Sequence, residues 1–202
     1  MCSGTSASQA KDMKASIAAA EKSADIARDA MVAGERAFVF ATGVKPFWER
    51  GESGLYNWRF RPSWKNSGDT PTRNMTMHSE CELRTEVLPK EFNFDHPTTE
   101  IGVALIPPNT ETGGGLAPNY PRAAITAQDI LDVQSGRKFL YFWGWAKYSD
   151  VFPDTPQHIT RFCWQILPLG DPFAYAPNVS PQNLTFPYVH RFEGNCADDE
   201  CQ

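Results

Sequence analysis

The feature that most narrows the possible folds is the stretch Arg137 to Gln165, RKFLYFWGWAKYSDVFPDTPQHITRFCWQ, the densest run of aromatic and β-branched residues in the chain. It divides into two apolar runs, Phe139 to Tyr148 and His158 to Ile166, separated by a linker that holds Pro153, Asp154 and Pro156. Proline cannot donate to a ladder and aspartate favours turns, so the two runs predict a β-hairpin with a long loop. By the two-residue period of a strand, Leu140, Phe142, Gly144, Ala146 and Tyr148 share one face of the first run, while Phe139, Tyr141, Trp143, Trp145 and Lys147 share the other. Both faces are apolar. Such a strand is either covered on both sides or presents a binding surface, and a double cover is the commoner arrangement.

Further strands are expected at Glu35 to Val44, Leu55 to Ser67, Asn74 to Val87 and Glu100 to Ile106, with a seventh near Phe186 to Phe192. Pro62 inside the second of these implies an edge position or a bulge. Lys45 to Gly54 reads as a loop, Trp64 to Arg73 as a turn, and Thr110 to Pro121, with Gly113 to Gly115, as a mobile connection. Thr126, with Asp129 three residues on, predicts the capped start of a short helix ending at Ser135 and Gly136. Beyond Leu167 the prolines at 168, 172, 177, 181 and 187 predict an extended strap.

The only long helix expected runs from about Gln9 to Gly34, a proline-free segment rich in Ala, Lys, Glu and Asp. Its residues Ala10, Met13, Ile17, Ala20, Ala24, Ala27 and Met31 follow at spacings of three and four, the seam of a heptad repeat. This seam makes the helix a candidate coiled-coil stalk, or alternatively a helix docked on its own domain or a solvated linker. Short strands without long helices between them favour a mainly β fold. The expectation is an immunoglobulin-like antiparallel β-sandwich preceded by one long N-terminal α-helix. Residues 1–34 form the helical arm in this reading, 35–192 the β-sandwich, and 193–202, EGNCADDECQ, an acidic flexible tail.

A formal charge of −5 gives no general attraction for nucleic acid or anionic lipid. The N-terminus lacks the apolar core of a signal peptide, so the chain as written is expected in the cytoplasm, with Cys2, Cys81, Cys163, Cys196 and Cys201 as thiols.

The block WRFRPSWKNSGDTPTRNM, followed by CELR, LPKEF, IPPN and YFWGWAKYSDVFPDTPQHITRFCW, resembles a family of uncharacterised bacterial proteins found mainly in proteobacteria. The resemblance covers most of the chain after Glu35. It implies an Ala-rich helix followed by a β-sandwich, with a recurring Asn-Ser-Gly-x-Thr-Pro turn, here Asn66 to Pro71, and a hairpin matching Tyr148 to Cys163. It implies no activity, cofactor or catalytic residue. Family members typically carry a membrane segment ahead of the helix, so membrane anchoring is the expectation if a longer N-terminus exists.

Three polar residues in or beside the hairpin loop, Asp150, His158 and Arg161, are candidates for a binding site, as are Trp143 and Trp145 on the strand before it. A carboxylate facing an imidazole across the loop would suit a metal-dependent enzyme or sensor; the structural alternative is a turn cap, a strand-opening histidine and an ordinary ion pair. The other histidines, His78, His96 and His190, show no ligand spacing to it. Cys196 and Cys201 could hold a metal only with help from Cys163 or His190, and a flexible tail is the simpler reading. Lys45, Arg50, Arg59, Arg61 and Lys65 interleave with Phe47, Trp48, Tyr56, Trp58, Phe60 and Trp64, a composition suited to single-stranded nucleic acid, but period two places the two sets on opposite faces. The leading expectation is a non-enzymatic binding or assembly module without metal or cofactor. Its partner would be an unidentified protein, or a second copy met through the N-terminal helix.

Overall fold

The computed structural model describes residues 4–51, 54–94, 102–117, 119–120, 124–179 and 183–201. The chain is mainly β with one long N-terminal helix, and it separates into two compact units, Met1–Arg36 and Ala37–Gln202. The first is helix α1, Gly4–Glu35, uninterrupted over 32 residues as its proline-free, Ala-rich composition requires. Among the described residues no helix is long and apolar enough to cross a membrane.

The second unit contains strands β1 (Val39–Arg50), β2 (Tyr56–Asn66), β3 (Arg73–Arg84), β4 (Gly102–Ala104), β5 (Glu111–Gly113) and β6 (Asn119–Tyr120). Helix α2 (Ala127–Gln134) precedes β7 (Phe139–Ser149), β8 (His158–Ile166), β9 (Leu169–Gly170), β10 (Leu184–Thr185), β11 (Tyr188–His190) and β12 (Cys196–Ala197). One sheet has the order β1-β2-β5. The larger has the order β11-β8-β7-β3-β4, with β12 also on β8 and the parallel strand β6 on β3. Strands β9 and β10 pair separately.

The hairpin of β7 and β8 forms as its two apolar runs predict, with Leu140 opposite Ile166 and Tyr148 opposite His158. Both faces of β7 are covered. On one side Leu140, Phe142, Ala146 and Tyr148 join a core with Val39, Trp58, Phe60 and Trp64 of the smaller sheet. The rings of Phe60 and Phe142 lie 6.4 Å apart, and those of Trp64 and Phe162 5.4 Å apart. On the other side Tyr141 and Trp143 pack with Leu88 and Phe94, flanked by Phe92. The segment after β3 therefore supplies the second cover, and the Leu88 amide donates to Tyr141 Oη at 3.2 Å.

Several expectations require correction. Residues 45–50, read as loop, continue β1, and Pro46 sits opposite Phe60. Proline is tolerated there because β1 is the edge of its sheet and a donor facing outward has no ladder partner. Pro62 lies beside a bulge, where the register shifts between Ala41 and Gly43. The glycine-rich connection is not a free loop: β5 pairs with β2, and the Gly114 amide donates to Pro62 O at 2.8 Å. A Cβ at Gly114 would meet the Pro62 ring at 2.8 Å, so the approach needs glycine. The strand expected at Glu100 to Ile106 is represented by β4, and part of that span lies outside the described residues. Helix α2 begins at a complete capping box of Thr126 and Asp129, as read from the sequence.

Within the expected acidic tail, residues 196–201 carry regular structure. Cys196 and Ala197 pair with Arg161 and Thr160 of β8, a 3-10 turn spans Asp198–Cys201, and Cys196 is joined to Cys201 by a disulfide. The short disulfide loop and the ladder pairs supply anchors that acidic composition alone does not reveal. Cys81 and Cys163 remain thiols, buried in β3 and β8 as small core residues. Burial pushes both upward, Cys163 to about 12, so neither ionises readily. Cys2 lies outside the described residues.

Gly144 marks the tightest backbone approach in the larger sheet. A Cβ there would lie 2.3 Å from His78 O and 2.9 Å from the Phe162 ring. Gly144→Ala should destabilise the domain by about 3 kcal/mol, because neither backbone nor packed ring can yield cheaply. Urea unfolding followed by tryptophan fluorescence tests this, and an unchanged midpoint would refute the packing argument.

Candidate functional site

The hairpin loop brings Asp150 and His158 together as its spacing allowed, and the chain end adds a third group that sequence reading missed. Asp150 follows the last residue of β7. Its Oδ1 accepts from the Phe152 amide at 2.8 Å and the Thr155 hydroxyl at 2.7 Å, which closes the turn out of the strand. Its Oδ2 faces His158 Nε2 at 3.1 Å. On the far side of the ring, His158 Nδ1 faces Asp198 Oδ1 at 3.1 Å and Oδ2 at 3.2 Å. Asp198 Oδ1 also accepts from the Ile159 amide at 3.2 Å.

His158 thus bridges two carboxylates, one eight positions before it and one forty positions after it. It is 3% exposed, and Tyr148, directly opposite it in the ladder, lies with its ring 5.4 Å away. Each ring nitrogen therefore lies within hydrogen-bond distance of a carboxylate. Asp150 is buried as well. Burial alone raises its carboxyl, but hydrogen bonds from Thr155, His158 and the Phe152 amide outweigh that and hold it below the usual carboxylate range.

Arg161 does not join this pair. Its Nη1 donates to the Cys201 carbonyl at 2.8 Å, so it holds the end of the disulfide loop. Trp143 and Trp145 also lie apart from it. Trp143 is fully buried, with the rings of Phe92 and Phe94 5.6 Å and 5.7 Å away and His78 at 5.6 Å. Trp145 is 7% exposed, beside His78 and under the Lys147 ammonium at 4.8 Å. Neither indole offers an open face of the kind a ligand platform needs. The signal that could have revealed Asp198 is its position between two cysteines five residues apart, which marks a constrained loop.

The alternative clusters resolve differently. Among the described residues no group of three His, Cys, Asp or Glu side chains is arranged to hold a metal ion. The two nitrogens of His158 point to carboxylates on opposite sides of the ring, so the three groups do not aim at a common centre. Cys196 and Cys201 are bonded to each other, and His190 Nδ1 accepts from Trp164 Nε1 at 3.1 Å. His96 lies outside the described residues. In the basic and aromatic region, Trp58 and Phe60 are buried, while the Arg61 guanidinium sits 4.4 Å over Phe47 on the opposite face. No family model matches the chain, and no curated protein or solved structure matches it.

Asp150→Ala should cost about 3 kcal/mol at neutral pH, because it leaves the buried imidazole facing one carboxylate and strands the Phe152 amide. The pH dependence has a defined sign. The folded-state value of Asp150 lies below its unfolded value, so its contribution is complete above about pH 4 and is lost as acidification carries the pH down through the folded value. Denaturant titrations of the parent and Asp150→Asn between pH 7 and pH 3 should therefore converge on the acid side. A gap that stays constant would show that the carboxylate is not stabilised there.

Proposed function

We propose that the protein is a non-enzymatic assembly or binding module, an immunoglobulin-like β domain whose helical arm associates with a second copy or a protein partner. The observation that carries this reading is the unbroken length of α1, 32 residues or about 48 Å, with an apolar seam from Ala10 to Met31 along it. Met13, Ile17 and Met31 supply the large contacts of that seam, and the alanines between them allow close approach of a second helix. Isolated helices gain little from propensity alone, and an apolar seam of this length stabilises most when it is paired. The two antiparallel sheets that share one core support the immunoglobulin-like description of the domain.

Two other roles draw less support. A metal-dependent enzyme or sensor at Asp150 and His158 would need an imidazole nitrogen aimed at the reacting centre, and each nitrogen faces a carboxylate. Binding of single-stranded nucleic acid through Lys45 to Lys65 would need bases to stack on the aromatic rings there, and Trp58, Phe60 and Trp64 line the core.

The test is molar mass in solution by light scattering at several concentrations, for the intact chain and for one lacking residues 1–34. A dimer or trimer that becomes monomeric on truncation is the expected result. The double substitution Ile17→Glu and Ala24→Glu, which leaves helix propensity largely intact, should have the same effect. Monomers throughout would refute the assembly role of the arm.

A further inference from the structure

Strand β8 is an inner strand along its β7 side, and its opposite side is covered in two parts. Tyr188–His190 pairs with Trp164 to Ile166, and Cys196–Ala197 pairs with Thr160 and Arg161. Between them Asn195 bridges the strand, accepting from the Cys163 amide at 3.1 Å and donating to the Cys163 carbonyl at 3.1 Å. The last part of this cover is held at both ends and in the middle by groups of one six-residue loop. Cys196 lies in the ladder, Asp198 reaches His158 and the Ile159 amide, and the Cys201 carbonyl receives Arg161 Nη1. The Cys196–Cys201 bond closes that loop and is the only disulfide among the described residues.

We propose that this loop is a redox latch, closed over the β8 edge as the disulfide and released when the bond is reduced by a dithiol. The two halves of the bond differ in access: Cys201 is buried at 8% exposure, whereas Cys196 is half-buried and the more accessible target. A thiolate of the reductant forms a bond to Cys196 Sγ, the Cys196–Cys201 bond breaks, and Cys201 Sγ leaves with the electron pair and takes up a proton. The second thiol of the reductant then displaces Cys196, so the protein gains two thiols and the reductant becomes a disulfide. Opening removes the covalent closure that holds Asp198 and the Cys201 carbonyl in register at the same time. With Asp198 free to move away, His158 keeps Asp150 alone, and the backbone of Ile159 and Arg161 loses its cover. Alternation along the strand places the Ile159, Arg161 and Cys163 amides on this same side. The latch thereby converts the redox state of the surroundings into an open or covered sheet edge, whatever partner α1 takes.

The test uses the full chain with and without dithiothreitol, with no denaturant, reading thiols by a chromogenic disulfide reagent and amide hydrogen exchange residue by residue. Reduction should add two reactive thiols and accelerate exchange at Ile159 and Arg161 at least ten-fold, while Gly144 in β7 is unchanged. The double substitution Cys196→Ser and Cys201→Ser should reproduce that pattern without reductant, which separates the latch from effects on Cys81 and Cys163. Three results would overturn the proposal: no gain of thiols short of unfolding, unchanged exchange at Ile159 and Arg161 after reduction, or acceleration spread evenly through β7 and β8.

Discussion

The structure depends on the burial of β7 on both faces. A strand that is apolar all round needs a layer on each side, and the two layers come from different parts of the chain. Sheet β1-β2-β5 supplies one, so the strands before residue 67 are drawn over the hairpin as a second sheet. The other is a short irregular segment, Leu88 to Phe94, which lays two phenylalanines and a leucine on Tyr141 and Trp143. Each large apolar side chain buried this way contributes roughly 1.5–3 kcal/mol, and β7 places several on each face. At Gly144 the β3 backbone and the Phe162 ring occupy the space of a side chain.

Apolar burial does not fix the irregular connections, and two polar hubs do so. Asn66, fully buried at the end of β2, accepts from the Phe38 and Gly68 amides at 3.1 Å and 3.0 Å. Its amide nitrogen donates to the carbonyls of Thr70, Ile106 and Pro107. One side chain thereby satisfies backbone groups of the entry to β1, the turn after β2 and the exit from β4, none of which has ladder partners there. His158 plays the corresponding part at the other end, joining the hairpin loop to the chain terminus. These hubs share a logic: a buried polar side chain in a position set by a strand collects groups from segments that lack regular structure.

That division explains what could be read from sequence. The hairpin, its doubly apolar strand and the capping box at Thr126 are local signals, carried by period two or by a spacing of three residues, and they hold in the structure. The turn from Asn66 to Pro71 was legible as a turn, while the role of Asn66 as a hub was not, because its partners at Phe38 and Ile106 lie 28 and 40 positions away. The continuation of β1 through Pro46 was hidden for a related reason, since only the sheet order makes the position an edge. Of the candidate site, the Asp150–His158 pair could be seen because it spans eight residues across one loop. Asp198 was harder to see: two cysteines five residues apart mark the loop that holds it, but within its run of acids nothing distinguishes the one that meets a histidine.

The same geometry bears on the kind of work the domain can do. General acid–base chemistry needs a ring nitrogen within reach of a substrate proton, and a metal site needs its ligands aimed at one point. At His158 the first nitrogen faces a carboxylate already engaged by Thr155 and the Phe152 amide, and the second faces one engaged by the Ile159 amide. A histidine in that position transmits position between the loop and the terminus, because moving either carboxylate removes a contact on which the other side also depends. The geometry of the pair therefore suits a mechanical role, coupling the disulfide loop to the hairpin, and the partner-binding role stays with our proposal for the apolar seam of α1.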